Sequence, residues 1–252
     1  MHEKCKITRA RDFFSQPIIM TNNEGLTLRQ AALVAGVGYV LTTPVFFIEF
    51  FINPSLIIPG HIEQTVANIG SNHSLFLATV FGYLINFMGD IIAALGLFIL
   101  LAPVNRAVSL IAAWFRLVYT TVAIVGLFNL ATAYRLIITP YYMNSFGAAQ
   151  FHAQIDLLLR SFRYIWTMGL VIFAIHLLVI AVLLYRANYL PKFLGVMIGI
   201  DALCLMAIEL QPYFWPTTNL GWVFIGTFGE LVFMLWLLIM GWRIRDPEPL
   251  AT

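Results

Sequence analysis

Residues 172–200 read IFAIHLLVIAVLLYRANYLPKFLGVMIGI. Two apolar runs flank a short turn, Arg186-Ala187-Asn188-Tyr189-Leu190-Pro191. A helix crosses a bilayer with about 20 mostly apolar residues, and each run extends far enough to supply them. Pro191 suits the start of the second helix, where a missing N–H is harmless. One ionisable residue stands near the middle of each run: His176 in the first, and Asp201, just past the quoted stretch, in the second. The unit is a pair of spanning helices that carries polar groups where lipid is least tolerant of them.

The rest of the chain holds further apolar runs of this kind, without a convincing internal repeat. Six segments are long and apolar enough to span: about 31–52, 75–101, 107–138, 164–185, 191–210 and 220–242. Thr27-Leu28-Arg29-Gln30 reads as a capping box before the first. Thr139 and Pro140 should end the third. Pro54 and Pro59 follow the first, and Pro212 and Pro216 punctuate the loop before the sixth. Between the third and fourth spans, Phe151, Ile155, Leu158, Leu159 and Phe162 recur at helical spacing. They predict a short amphipathic helix over 147–162, external and lying on the surface or tucked against the bundle. The expected fold is therefore all-α: a polytopic bundle of six spanning helices plus that short helix. The domain limits are an N-terminal tail at 1–28, the bundle at 29–243 and a C-terminal tail at 244–252.

Composition agrees. The 252 residues are 61% hydrophobic and 10% charged, against about 25% charged in soluble domains. No basic run with interleaved aromatics points to nucleic acid, and the bilayer is the expected partner. Cys5 and Cys204 form no C-x-x-C motif, and no disulfide is expected between them. No cleaved signal peptide is visible in the first 28 residues. Orientation follows the positive-inside bias. With both termini in the cytoplasm, Lys4, Lys6, Arg9, Arg11, Arg29, Arg106, Arg186, Lys192, Arg243 and Arg245 lie inside. Only Arg135, Arg160 and Arg163 lie outside, and Arg116 is in the membrane. The expected location is a bacterial plasma membrane.

The informative residues are five buried ionisable groups: Asp90, Arg116, His176, Asp201 and Glu230. A charge at the bilayer centre costs roughly 2.5–3.5 kcal/mol on insertion scales. Asp90 lies 13 residues before Pro103, and Arg116 lies 13 after it. Similar counts around the later turns put all five in one thin slab, one per helix. Asn86, one turn before Asp90, shares its face. Asp90 with Arg116 reads either as an ion pair that fixes packing or as a clamp for an anionic ligand. Three acids against one arginine leave a negative surplus. Protons or a bound cation must offset it. Glu49, Glu209 and Arg135 lie toward the outer end and suggest a vestibule.

No cofactor is clearly implied. His176, Asp201 and Glu230 are possible metal ligands by type, but no two share a helix at ligand spacing. His152 and Asp156, with His61, Glu63 and His73, form a second set of donors in the outer loops. The spans hold no lysine near their middle for a Schiff base, Lys192 standing at the very start of the fifth, and no second histidine for a haem. Nucleotide-loop, G-x-S-x-G and H-E-x-x-H motifs are missing.

The opening stretch also resembles a bacterial membrane family catalogued as domain of unknown function 4386. That family shows a helix with a central His, an R-x-x-Y-[IL]-P turn and then L-G-V. GELVFMLWLLIMGWR (residues 229–243), LAPVNRAVSLIAAWFRLV (101–118) and RQAALVAGVGYV near the start resemble it too. The resemblance spans about 29–243 and implies a multi-pass fold. It carries matches for Arg116, His176, Pro191, Gly195 and Glu230, and it implies no particular reaction.

Three functions fit these residues. The first is binding or transport of a small molecule, lipid or ion at the polar layer. The second is a lipid-modifying enzyme with acid–base work by His176 and Asp201 or Glu230. The third is an accessory subunit of a membrane complex. The sequence carries no signature of oligomeric state.

Overall fold

The computed structural model describes residues 25–244. Cys5, the basic residues Lys4, Lys6, Arg9, Arg11 and Arg245, and most of both expected tails lie outside them. Six helices are long and apolar enough to cross a membrane: α1 (Leu28–Leu56), α3 (His73–Leu101), α4 (Arg106–Ile138), α6 (Ala148–Arg186), α7 (Lys192–Phe214) and α8 (Gly221–Arg243). Two short helices, α2 (Ile62–Ser71) and α5 (Pro140–Phe146), stand in the loops at one end. No strand occurs among the described residues. The chain is a multi-pass membrane protein.

Each span packs on the next in sequence, and α8 returns to α1, closing a ring. The start follows local chemistry. Thr27 N donates to Gln30 Oε1 at 2.9 Å, and Gln30 N donates to Thr27 Oγ1 at 3.2 Å, completing the capping box. Asn105 caps α4 by accepting from Val108 N. In the α6–α7 turn, Tyr189 donates to the Leu100 carbonyl at 2.6 Å, and burial pushes its hydroxyl up to about 12.

The α1–α3 seam is built from small residues: Ala31, Ala35 and Gly38 face Gly89, Ala93 and Gly96. A Cβ on Gly38 would lie 2.5 Å from Ala93 N, and one on Gly89 would lie 2.6 Å from the Gly38 carbonyl oxygen. Lipid supplies no hydrophobic drive between helices, so close backbone packing of this kind holds them. Gly195 lets α7 approach the backbone of Ala181 and Tyr185 in α6, whereas Gly199 makes only an ordinary contact with Ala181.

Four elements depart from the expected limits. The stretch 147–162 is not a separate surface helix. It is the first half of α6, which runs unbroken for 39 residues, about 58 Å at 1.5 Å per residue. No proline interrupts it, and Phe151, Ile155, Leu159 and Phe162 continue the buried stripe to Trp166. The short loop helices are α2 and α5 instead. Second, α7 runs past Pro212, which sits in its last turn rather than in a loop.

The third departure is a break in the α-helical part of α1 at Thr43, just before Pro44. Pro44 has no N–H, so the carbonyls of Tyr39 and Val40 accept from the hydroxyls of Thr42 and Thr43, both at 2.8 Å. A single π turn, Ile48–Ile52, follows. The last departure is in α8, which is a 3-10 helix over Gly221–Phe228 and α-helical from Gly229 to Met240.

Candidate functional site

Arg116 on α4 is the centre of the interior. It is 1% exposed. Its Nε and Nη2 both donate to Asp90 Oδ1 of α3, at 3.0 and 2.7 Å. Its Nη1 donates to the Tyr39 hydroxyl of α1 at 3.1 Å and lies 3.5 Å from His176 Nε2 of α6. Asn86 Nδ2 approaches the other Asp90 oxygen at 3.4 Å. The guanidinium also lies over the rings of Tyr39 and Phe173, 4.7 and 5.1 Å from their centroids.

His176 is pinned at both nitrogens. Nδ1 is 2.8 Å from the Ala112 carbonyl oxygen. A carbonyl only accepts, so Nδ1 carries the proton and Nε2 turns its lone pair to the arginine. The hydrogen-bond network assigns this neutral tautomer. Among the described residues, no three His, Cys, Asp or Glu side chains converge as a metal site. In the first half of α6, Asp156 instead holds Arg160 one turn on, at 2.7 Å.

Asp201 and Glu230 divide differently. The change from 3-10 to α geometry at Gly229 leaves backbone N–H groups without partners inside the helix. Asp201 Oδ2, reaching from α7, accepts from Glu230 N at 2.8 Å. A Cβ on Gly229 would come within 2.9 Å of Asp201 Cβ, so glycine lets the two helices meet there. Asp201 thereby satisfies broken backbone that lipid could not. Asp201→Ala is expected to lower stability by about 1–2 kcal/mol, the value of a lost helix cap. Thermal unfolding in detergent measures it. An unchanged melting temperature would mean the carboxylate does not cap α8.

Glu230 is the one member of the layer with open surroundings. Its Oε1 lies 4.0 Å from Arg116 Nη1. That oxygen is buried and has no hydrogen-bond partner, yet 25% of the side chain is accessible. The accessible part borders a cavity of about 500 Å³ between α1, α6 and α8. Tyr39, Phe46, Phe50, Trp166, Phe224 and Phe228 help line it. Phe46 and Phe228 are also 42% and 38% exposed on the outside of the bundle, so the cavity opens sideways where lipid would lie.

Glu49, in the π turn of α1, borders this cavity and a larger one of about 910 Å³ at the end that carries α2. It accepts from Arg163 Nη1 at 3.0 Å and from the Tyr83 hydroxyl. Glu209 of α7 approaches Thr167 and feels both Arg163 and Glu49. Arg135 is exposed, and no ion pair to it occurs among the described residues. The structure therefore brings Asp90, Arg116, His176, Glu230, Asp201 and Asn86 into one cluster of contacts, and Glu49 near Glu209 in another. Arg163 takes the place expected for Arg135, because the long α6 carries it beside Glu49.

Sequence reasoning missed Tyr39 and Tyr83, which each place a hydroxyl on a charged group. Tyr39 had one visible signal. It falls four residues after Ala35 and next to Gly38, on the small-residue face of α1.

The profile of a family described as domain of unknown function (DUF4386) matches residues 34–241. An "Uncharacterized protein" of Archaeoglobus fulgidus is 26% identical over 157 residues, covering 62% of this chain and 80% of the relative. No solved structure matches the chain.

Proposed function

This chain belongs to the family described as domain of unknown function (DUF4386), and we propose that its bundle binds or transports a small molecule, lipid or ion at the polar layer, through the cavity beside Glu230. One observation carries the reading. A buried carboxylate oxygen has no hydrogen-bond partner, its side chain borders an open cavity, and no other buried side-chain oxygen or nitrogen among the described residues is left without one. Buried polar atoms are nearly always satisfied, so this one marks where a partner from outside the chain belongs. About 500 Å³ lies within the usual range of small-molecule sites, about 300–1,000 Å³.

The acid–base reading gains less. Both nitrogens of His176 are engaged inside the closed knot, and the histidine does not line the cavity. The proposed setting is the bacterial plasma membrane with both termini cytoplasmic. In support, Arg29, Arg106, Arg186, Lys192 and Arg243 fall at the opposite end from Arg135, Arg160 and Arg163.

Native mass spectrometry of mildly purified protein tests the site. The wild type is expected to carry a bound lipid or metabolite. Thr227→Trp, which fills the cavity from α8, should cut its occupancy about tenfold while the melting temperature holds. A bound mass indifferent to Thr227→Trp, or a bare wild-type protein, overturns the reading.

A further inference from the structure

We infer that the ligand of the lateral cavity is a lipophilic organic cation carrying one positive charge. The inference rests on the proposed site and adds the chemical class.

Charge is the first support. Among the residues lining the cavity, the ionisable groups other than Tyr39 are Glu49 and Glu230, with no lysine, arginine or histidine. The nearby cations are already committed. Arg116 gives Nε and Nη2 to Asp90 and turns Nη1 to Tyr39 and His176, so the one guanidinium that Glu230 approaches, at 4.0 Å, is shared with Asp90. Arg163 holds Glu49. Asp201 is met by backbone N–H at the start of the α-helical part of α8. One carboxylate, Glu230, therefore borders the cavity beside an arginine that Asp90 already neutralises, and its buried Oε1 has no hydrogen-bond partner. In low dielectric such a charge requires an opposite one close by, and a monovalent cation supplies it.

Aromatic geometry is the second. Phe46 and Phe50 lie 4.6 Å apart by ring centroid, Phe50 and Phe224 5.4 Å, and Phe224 and Phe228 5.5 Å. The rings form one continuous wall that crosses from α1 to α8, with Tyr39 and Trp166 also lining the cavity. Ring faces attract cations, most strongly when water is excluded. This setting favours an organic cation over an inorganic one. A hard metal ion takes six or more oxygens. Here the two carboxylates sit on different helices, and the lining hydroxyls of Thr42, Thr43 and Thr227 each already donate within their own helix. The sideways opening past Phe46 and Phe228 suits a molecule that arrives dissolved in lipid.

Tetraphenylphosphonium, tetraphenylborate and triphenylphosphine oxide present the same phenyl groups with positive, negative and no charge. Equilibrium dialysis against detergent-solubilised full-length protein compares them. Wild-type protein should hold tetraphenylphosphonium at least about tenfold more tightly than either other probe. Glu230→Gln should remove that preference, and Thr227→Trp should remove binding. Equal binding of the cation and the neutral probe by wild-type protein overturns the cation inference and leaves the cavity reading standing. That comparison requires no variant to fold. A cation preference that survives Glu230→Gln also overturns the inference. Failure of all three probes to distinguish wild type from Thr227→Trp overturns both.

Discussion

Arg116→Ala is expected to cost about 3–5 kcal/mol of stability, the usual penalty for orphaning a buried partner. The substitution strands Asp90, which is 3% exposed and takes both of its ion-pair hydrogen bonds from this guanidinium. It also removes the cation nearest Glu230 and the donor to Tyr39. Arg116→Lys should recover only part of the loss. An ammonium is a point charge and cannot bridge Asp90 with two fixed N–H groups while reaching Tyr39 and His176. Removing both charges, as in Arg116→Met with Asp90→Leu, should cost clearly less than Arg116→Ala, because no unpaired ion remains. Reversible unfolding in bicelles or mixed micelles gives the cycle. Additive effects of the single changes would show that the pair is not coupled, and a loss under about 1 kcal/mol for Arg116→Ala would place it with weak surface pairs.

Gly38→Leu is the second large expected effect, and its cause is space. A Cβ alone would lie 2.5 Å from Ala93 N and 2.8 Å from Ala93 Cα. These are backbone atoms and cannot swing aside. Overpacking typically costs about 1–3 kcal/mol, sometimes more, and here α1 and α3 must separate along their seam. Separation would also pull Tyr39 from Arg116, so ligand binding should fall along with the melting temperature. Gly70→Ala on α2 is the control. Its Cβ would meet only Ile137 Cγ2, at 3.9 Å, and replacing a helical glycine should stabilise by roughly 0.5–1 kcal/mol. If Gly38→Leu melts like wild type, the close approach of α1 and α3 does not hold the bundle.

Span number was legible in the chain because it depends on counting. Bilayer thickness sets the length of each apolar run, and the turns set where its middle falls. That arithmetic reached Asp90, Arg116, His176, Asp201 and Glu230 without a contact being known. It could not tell their roles apart. Asp201 and Glu230 look alike in sequence, each a lone acid in an apolar run. One caps a helix break and the other borders a cavity. The difference comes from the change to α geometry at Gly229, and nothing in GWVFIGTFGELVF announces a 3-10 turn. The sequence leaves Arg163 outside because 147–162 reads equally well as a surface helix or as a buried one. Amphipathic periodicity is the same for both, and only packing against α4 and α7 selects the continuous helix.

The sequence by itself determined the class of the molecule and its six long apolar helices. These follow from transfer energies and lengths that each segment carries alone. Only the tertiary structure decided which charge is paired, which caps backbone and which is left facing a cavity. Those outcomes depend on distances of a few ångströms between helices far apart in the chain, and small residues such as Gly38, Gly89 and Gly229 set those distances by the side chains they lack.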